Sequence, residues 1–536
     1  MHEAANTLSA DGKQRGRANA LILLTRLSEQ FNNTYFVILK KMCMKRLLPY
    51  CIILSAFMFS VHAQEESNHL SYNIETFGSV STRNQTPFWM VSNQQGIIPL
   101  DANNGYLRTN MVYRHYFNSE WSWVAKADLV AVAPRYRNLY VHQLYTELAY
   151  KGIRLSIGSH ETGKYLQTVT DPFLSSGDLG LATNARPIPE INLYSPDFIS
   201  LPWTDGWLQG KANFAIGRSF DTDYLDSFID ENQYYIRNPL WHHKSLYVRI
   251  KDLKNDFPFS FIAGIRHVVQ WGGEATNPLF KGQQPHTLKD FIRIVFGQSG
   301  GKTASVSDQI NALGAHYGTY DLRLGFEKKD WAIYGYYQHI FSDASGMEFY
   351  NALDGLKGIQ VDLHKSSWFK KIVFEHLYTL NQSGPFHYIW FDHHKYPGYG
   401  GGADNYYNNG EYTSGFSYFN RSLGTPFILS PEYNKNGELG FRHNRVQAWY
   451  IGAEGDINRY LSWRLRLSTM ESFGTAYVPT LKKLTATSFK TDFFYCHKAW
   501  TFTTSIAADN GSLLGNQWGF SLSIARQGIL EFPFRN

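Results

Sequence analysis

A chain of 536 residues with 18% charged and 16% aromatic side chains has a mean hydropathy of −0.34, which excludes a membrane protein built from apolar helices. The formal charge of +6 sits at the start: eight of the 51 Lys/Arg but only three of the 45 Asp/Glu lie in residues 1–63, leaving 43 against 42 beyond them. A balanced chain lacks the electrostatic footprint of a nucleic-acid binder, and no nucleic acid is expected as a partner.

The first readable segment is MKRLLPYCIILSAFMFSVHA, residues 44–63. Lys45 and Arg46 precede an apolar run, which ends in Val61-His62-Ala63 with small residues where cleavage needs them; this is the pattern of a secretory signal peptide. The run is too short for a bilayer-spanning helix. Residues 1–43 then read as an upstream mis-start, and the mature chain runs from Gln64 to Asn536. Cys43 and Cys51 leave with the leader, so Cys496 alone remains and there is no disulfide framework.

Past residue 63 no 18-residue apolar run occurs, so membrane residence must be through strands. Apolar residues alternate in WSWVAKADLVAVA (121–133), IRLSIG (153–158), SLYVRI (245–250), FSFIAGIRHVV (259–269), DLRLGF (321–326), KIVFEHLYTL (371–380), WRLRLS (463–468) and QWGFSLSIA (517–525). Alternation puts one set of side chains on each face of a strand. In YLSWRLRLS (460–468), Leu461, Trp463, Leu465 and Leu467 would face lipid, whereas Arg464 and Arg466 would face a wet lumen. Arginine on the lipid side at mid-depth costs about 2–4 kcal/mol, so the faces cannot be exchanged.

The connections repeat a second pattern. FNSEWSW, FEKKDWAIY, HKSSWFKK, INRYLSW and CHKAWTF are short polar turns followed almost at once by an aromatic, as an interfacial aromatic girdle requires. Long Gly/Tyr/Asn-rich insertions lie near 159–210, 271–312 and 381–443. One short-turned rim and one long-looped rim predict an all-β fold: a transmembrane antiparallel β-barrel of residues 64–536 in the outer membrane, with about 18 strands at roughly 25 residues per strand and connection. Outer-membrane lipid is its expected surround.

Motifs for chemistry are weak. FGQSGGKTAS (296–305) has Phe296 where a phosphate-binding loop needs glycine. The pairs His242-His243 and His393-His394 point to opposite sides of an extended chain, and no metal site is expected. Asp343, Glu348 and Asp354 could offer two carboxylates for glycoside hydrolysis, but loop spacing does not set their separation. No catalytic residues and no cofactor are expected. The stretch 388–426 is dense in Tyr, Gly, Asn and Ser, a mixture that offers ring faces for sugar stacking and adaptable polar groups for hydroxyls.

Taken in order, STRNQTPFWMVSNQQG (81–96), LSSGDLGLATNARPIPEINL (174–193), WHHKSLYVRI (241–250), GIRHVVQWGG (264–273), LGAHYGTYDLRL (313–324), YGYYQHIFSDASGMEFYNALDGLKG (334–358) and DNYYNNGEYTSGF (404–416) resemble the capsule-assembly Wzi family of Gram-negative outer-membrane proteins. The resemblance covers nearly the whole mature chain. It implies an 18-stranded barrel that assembles or attaches capsular polysaccharide at the cell surface, lectin-like and without catalysis; a porin or channel for oligosaccharides is the alternative. Family members carry a helical segment on the periplasmic side, whereas residues 64–120 show no helical periodicity. The candidate polysaccharide contacts are the aromatics and amides of these signature loops: Asn184, Arg186, Trp271, Tyr406, Tyr407, Asn408 and Asn409. Trp271 and Arg186 read more readily as residues that fold loops inside the barrel mouth.

Overall fold

The computed structural model describes residues 68–531 apart from 135, 231, 255–256, 279–281, 352 and 385–401. The segments read above as a leader and an upstream mis-start, and the His393-His394 pair, lie outside the described residues. The wall begins with β1 (His69–Ser81), β2 (Asn104–Tyr116), β3 (Trp121–Ala133), β4 (Leu139–Tyr150), β5 (Ile153–Ser159) and β6 (Pro189–Tyr194). It continues through β7 (Leu208–Arg218), β8 (Leu240–Lys251), β9 (Phe259–Trp271), β10 (Ala315–Glu327), β11 (Trp331–Phe341) and β12 (Gly355–Leu363). It ends with β13 (Lys371–Tyr378), β14 (Val446–Asp456), β15 (Leu461–Gly474), β16 (Pro479–His497), β17 (Trp500–Asn510) and β18 (Gln517–Glu531).

Each strand pairs antiparallel with the next, and β18 returns to β1 from His69↔Glu531 to Ser81↔Gly519. The result is a closed 18-stranded antiparallel barrel, as the alternation predicted. A two-residue strand, Ile199–Ser200, adds to the edge of β7. Closure satisfies every strand's backbone without an edge, the condition for crossing hydrocarbon with strands.

The alternating faces explain why these sequences form a wall. On β15, Arg466 and Ser468 are buried inside and Leu467 is exposed outside. Arg464 pairs inward with Glu454 of β14 at 2.9 Å. Outside, Leu193, Leu246, Leu322, Leu324, Ile359 and Phe520 form part of an exposed apolar belt. At two inward positions glycine makes room for a ring: a Cβ on Gly264 would stand 2.1 Å from its cross-strand partner Tyr247, and one on Gly358 2.1 Å from Tyr336. Each tyrosine lies flat over the glycine opposite and fills lumen space that a second side chain would contest.

The two rims differ as expected. At one end, turns such as 117–120, 328–330, 457–460 and 498–499 are short; Trp121, Trp331, Trp368 and Trp500 are exposed beside such turns, and Trp121 packs on Tyr150 at 4.5 Å. At the other end lie the long segments 82–103, 160–188, 219–239, 272–314 and 379–445. Among the described residues before 120 there is one helical turn, Phe88–Val91, buried throughout at the long-loop end. His242 and His243 do diverge: His243 meets Glu190 inside at 2.7 Å, while His242 faces outward and bonds Ala215 O at 2.7 Å.

Candidate functional site

Inward-pointing polar residues of a barrel need partners or water, and here long loops supply the partners. Segment 160–188, rich in Ser, Asp and Gly, goes deepest. Arg266 of β9 donates to Leu166 O (2.5 Å), Arg323 of β10 donates to Val169 O, and Asp171 pairs with Lys371 of β13 at 2.5 Å. Glu375 of β13 accepts from Ser175 Oγ (2.6 Å), Ser176 N (2.7 Å) and Tyr336 Oη (2.5 Å). Gln338 of β11 accepts from Leu179 N at 3.1 Å and donates to Asp178 at 2.8 Å; Asp178 lies 3.5 Å from Arg266. Tyr450 of β14 donates to Leu174 O (2.5 Å), and Arg466 donates to Phe173 O (2.8 Å).

Two further segments lock this one in place. From 82–103, Phe88 N donates to Asp509 of β17 (2.9 Å), and Trp89 Nε1 donates to Ser468 of β15 (3.0 Å). The Trp89 ring packs on Phe427 and Tyr450 at 5.6 and 5.2 Å. Segment 402–445 lies over both: Tyr407 Oη donates to Leu179 O (2.7 Å), Ala182 N to Leu423 O (2.7 Å) and Arg421 Nη2 to Ile98 O (3.0 Å). A continuous buried cluster from Phe88 and Trp89 through Leu174 and Leu179 to Tyr406, Tyr407, Phe416 and Phe427 fills the lumen beneath the long-loop rim. Charge is buried there as well. Burial pushes Asp221, at the start of a loop helix, up to about 6. In segment 272–314, outside the plug, burial and then Glu411 push Asp308 up to about 7.

The structure brings most of the sequence candidates together as fasteners of this plug. Asn184 donates to Ser422 O (3.4 Å) and Ser430 Oγ (3.3 Å) and accepts from Asn93 N (3.2 Å). Tyr406 is fully buried and donates to Asp354 at 2.8 Å; Asn351 donates to its hydroxyl at 2.6 Å. Asn408 exchanges hydrogen bonds with the Phe441 backbone at 2.9 and 2.7 Å, and Asn409 accepts from Glu411 N and Tyr412 N at 2.9 and 3.1 Å. The Arg186 guanidinium lies between Tyr140 and Phe419, 3.6 and 4.4 Å from their centroids.

Trp271 stands apart, and its reading as a residue folded inside the barrel mouth is corrected. Arg266 points inward, so Trp271, five positions on along β9, points outward. It packs under a helix of segment 272–314 against Phe291 at 5.7 Å.

Two of the three carboxylates considered for hydrolysis are tied into loops. Asp354 is buried and accepts from Asn381 N (3.0 Å), Gln382 N (2.7 Å) and Tyr406 Oη, while Asp343 accepts from Ser345 N (2.8 Å). Both carboxylates are spent on holding loops. Asp128, His142 and Glu161 form the one cluster among the described residues whose donor atoms could hold a metal. Arg108 reaches Asp128 at 2.6 Å and Glu161 at 2.8 Å, so a guanidinium already sits against both carboxylates. The residues that sequence reading missed are the anchors Arg266, Gln338 and Glu375. Their signal is a charge or amide at an inward position of an otherwise apolar strand.

The family model described as capsule assembly protein Wzi matches residues 90–427, well over half of the chain. The chain belongs to the capsule assembly protein Wzi family. That segment contains all of plug segment 160–188 and parts of 82–103 and 402–445. Among solved structures, this Wzi family member resembles Wzi of Escherichia coli, described as an outer-membrane protein involved in group 1 capsule assembly and a carbohydrate-binding β-barrel. The identity is 13%, the TM-score 0.50, and the match covers 86% of this chain and 84% of that one. Acinetobacter baumannii OccAB4 (9% identity, 87% and 99% covered, TM-score 0.43) and Pseudomonas aeruginosa OprD (8%, 87% and 94%, 0.43) are also similar. No curated protein matches the chain significantly. As a Wzi family member it is an outer-membrane barrel, with its long loops external and its short turns periplasmic.

Proposed function

We propose that the protein binds capsular polysaccharide on the external face of its loop plug and holds it at the cell surface without cleaving it. The observation that carries this reading is the plug, inside a chain of the Wzi family: three external loops are cross-tied to one another and to the wall. A lumen filled by a packed aromatic cluster offers a rigid outward platform rather than a path. Most candidates named from the sequence hold that platform from beneath. The groups suited to meet sugar rings are the exposed rim tyrosines Tyr136, Tyr234 and Tyr477, where an aromatic face can stack on a pyranose ring.

Binding of the detergent-solubilised barrel to purified capsular polysaccharide tests the reading. Replacing Tyr136, Tyr234 and Tyr477 together by Ala is expected to weaken binding by about tenfold or more and leave the heat-dependent gel mobility of the barrel unchanged. Cells lacking the protein are expected to shed polysaccharide into the medium; capsule retained at its normal level on such cells would overturn the proposal. The channel alternative predicts a stable conductance in planar bilayers, and the plug predicts silence.

A further inference from the structure

Segment 272–314 turns the other way from the plug, onto the outside of the wall. Its helix Leu288–Phe296 opens with a capping box, Thr287 accepting from Asp290 N and Asp290 accepting from Thr287 N, and closes on Gly297 in the left-handed conformation. One side of the helix packs on outward residues of β8 and β9: Ile294 is buried with Val269 and Trp271, Phe291 lies 5.4 Å from the His242 ring, and Lys244 donates to Val295 O. The other side is apolar and uncovered. Leu288, Ile292 and Phe296, at i, i+4 and i+8, are 48, 50 and 73% exposed.

Between this helix and the wall runs a groove of about 450 Å³. Ile191, Leu193, Phe214 and Ile216 form its wall side, and Leu288 and Phe291 its helix side. Leu193 and Phe214 are at the same time part of the lipid-facing belt, so the groove opens directly from the barrel's lipid interface. At its external end stands Arg218, an outward residue at the end of β7 that lines the groove and whose Nε is buried with no hydrogen-bond partner.

An apolar slot continuous with the belt, with a guanidinium at headgroup height, matches one kind of occupant. We infer that this groove seats an acyl chain of a phosphorylated lipid of the outer leaflet, with Arg218 facing the phosphate. The uncovered stripe of the helix then lies among neighbouring chains, as interfacial amphipathic helices do. A guanidinium recognises phosphate through charge-assisted hydrogen bonds, so the seat distinguishes a phosphorylated lipid from its neutral counterpart.

Native mass spectrometry of the intact barrel in detergent, titrated with diphosphorylated lipid A or with the same lipid dephosphorylated, tests the inference. The wild-type protein is expected to retain one phosphorylated lipid, preferred by about tenfold over the neutral one. Ile216→Trp, which fills the slot, is expected to abolish retention; Arg218→Gln is expected to keep a lipid but lose the preference. Leu193→Trp serves the same purpose should Ile216→Trp fail to show the heat-modifiable mobility of a folded barrel. Retention untouched in a folded slot-filled variant, equal affinity for both lipids in the wild type, or a second protein copy in place of lipid would each overturn it.

Discussion

Segments 160–188 and 272–314 leave the same rim of the same barrel and go to opposite sides of its wall. The first carries carboxylates, hydroxyls and bare backbone, and it turns in to Arg266, Gln338 and Glu375, which are buried and need partners. The second carries an amphipathic helix, and it turns out to Val269 and Trp271. What differs is the face of the wall each can complete. A polar lumen rewards a loop that brings hydrogen bonds, and an apolar exterior rewards one that brings side-chain volume.

That contrast can be broken from the inside first. Glu375→Ala removes the acceptor for Ser175, Ser176 and Tyr336 at once, and a loss of about 3–5 kcal/mol is expected. It should appear as a lowered unfolding midpoint, as new protease cleavage within 160–188, and as conductance in planar bilayers, where the wild type is expected to be silent. Breaking the outer loop gives the converse. Ile294→Ala is expected to cost about 2–4 kcal/mol locally and to speed hydrogen exchange across 288–296, while the bilayers stay silent. Conductance in this variant would mean that the two loops are not independent.

Acidity sharpens the comparison. Asp308 of the outer loop ionises near 7 in the folded protein against an ordinary 3.8. The folded state therefore favours its protonated form; the stabilisation is complete below about pH 4 and is lost as pH rises through about 7. Exchange of amides in 297–314, corrected for intrinsic rate, is expected to be slower at pH 5 than at pH 8, and Asp308→Asn is expected to flatten that difference. The smallest effect is expected from Tyr406→Phe, which takes one hydrogen bond from buried Asp354 and one from Asn351 and costs about 1–2 kcal/mol, read as a small shift in the unfolding midpoint with polysaccharide binding intact.

The wall was legible in the sequence because its two faces meet different solvents, and a period of two in WRLRLS or KIVFEHLYTL records both. The girdle was legible for a similar reason: a tryptophan just after a polar turn marks a fixed depth. The plug was not. Ser175 and Glu375 are 200 residues apart, and nothing local in SSGD says which strand will receive it. The tyrosines and amides of 404–416 were legible as a special loop, but composition does not tell a group that meets a ligand from one that holds its neighbour, and Tyr406, Asn408 and Asn409 do the latter. Trp271 was misplaced although parity was available: an odd step from an inward arginine along one strand leads to the outside. The helix Leu288–Phe296 had its own mark, Thr287 with Asp290 three positions later ahead of an apolar run.

The seam between β1 and β18 sets a condition on biogenesis. The first strand to leave the translocation machinery finds its second neighbour only in the last fifteen-residue strand. Until that strand arrives, two rows of peptide groups lack partners, each a cost of several kcal/mol in hydrocarbon. Insertion is therefore all-or-none with respect to chain length: a polypeptide that stops before Gln517 carries seventeen good strands and still has no way to enter the bilayer unaided.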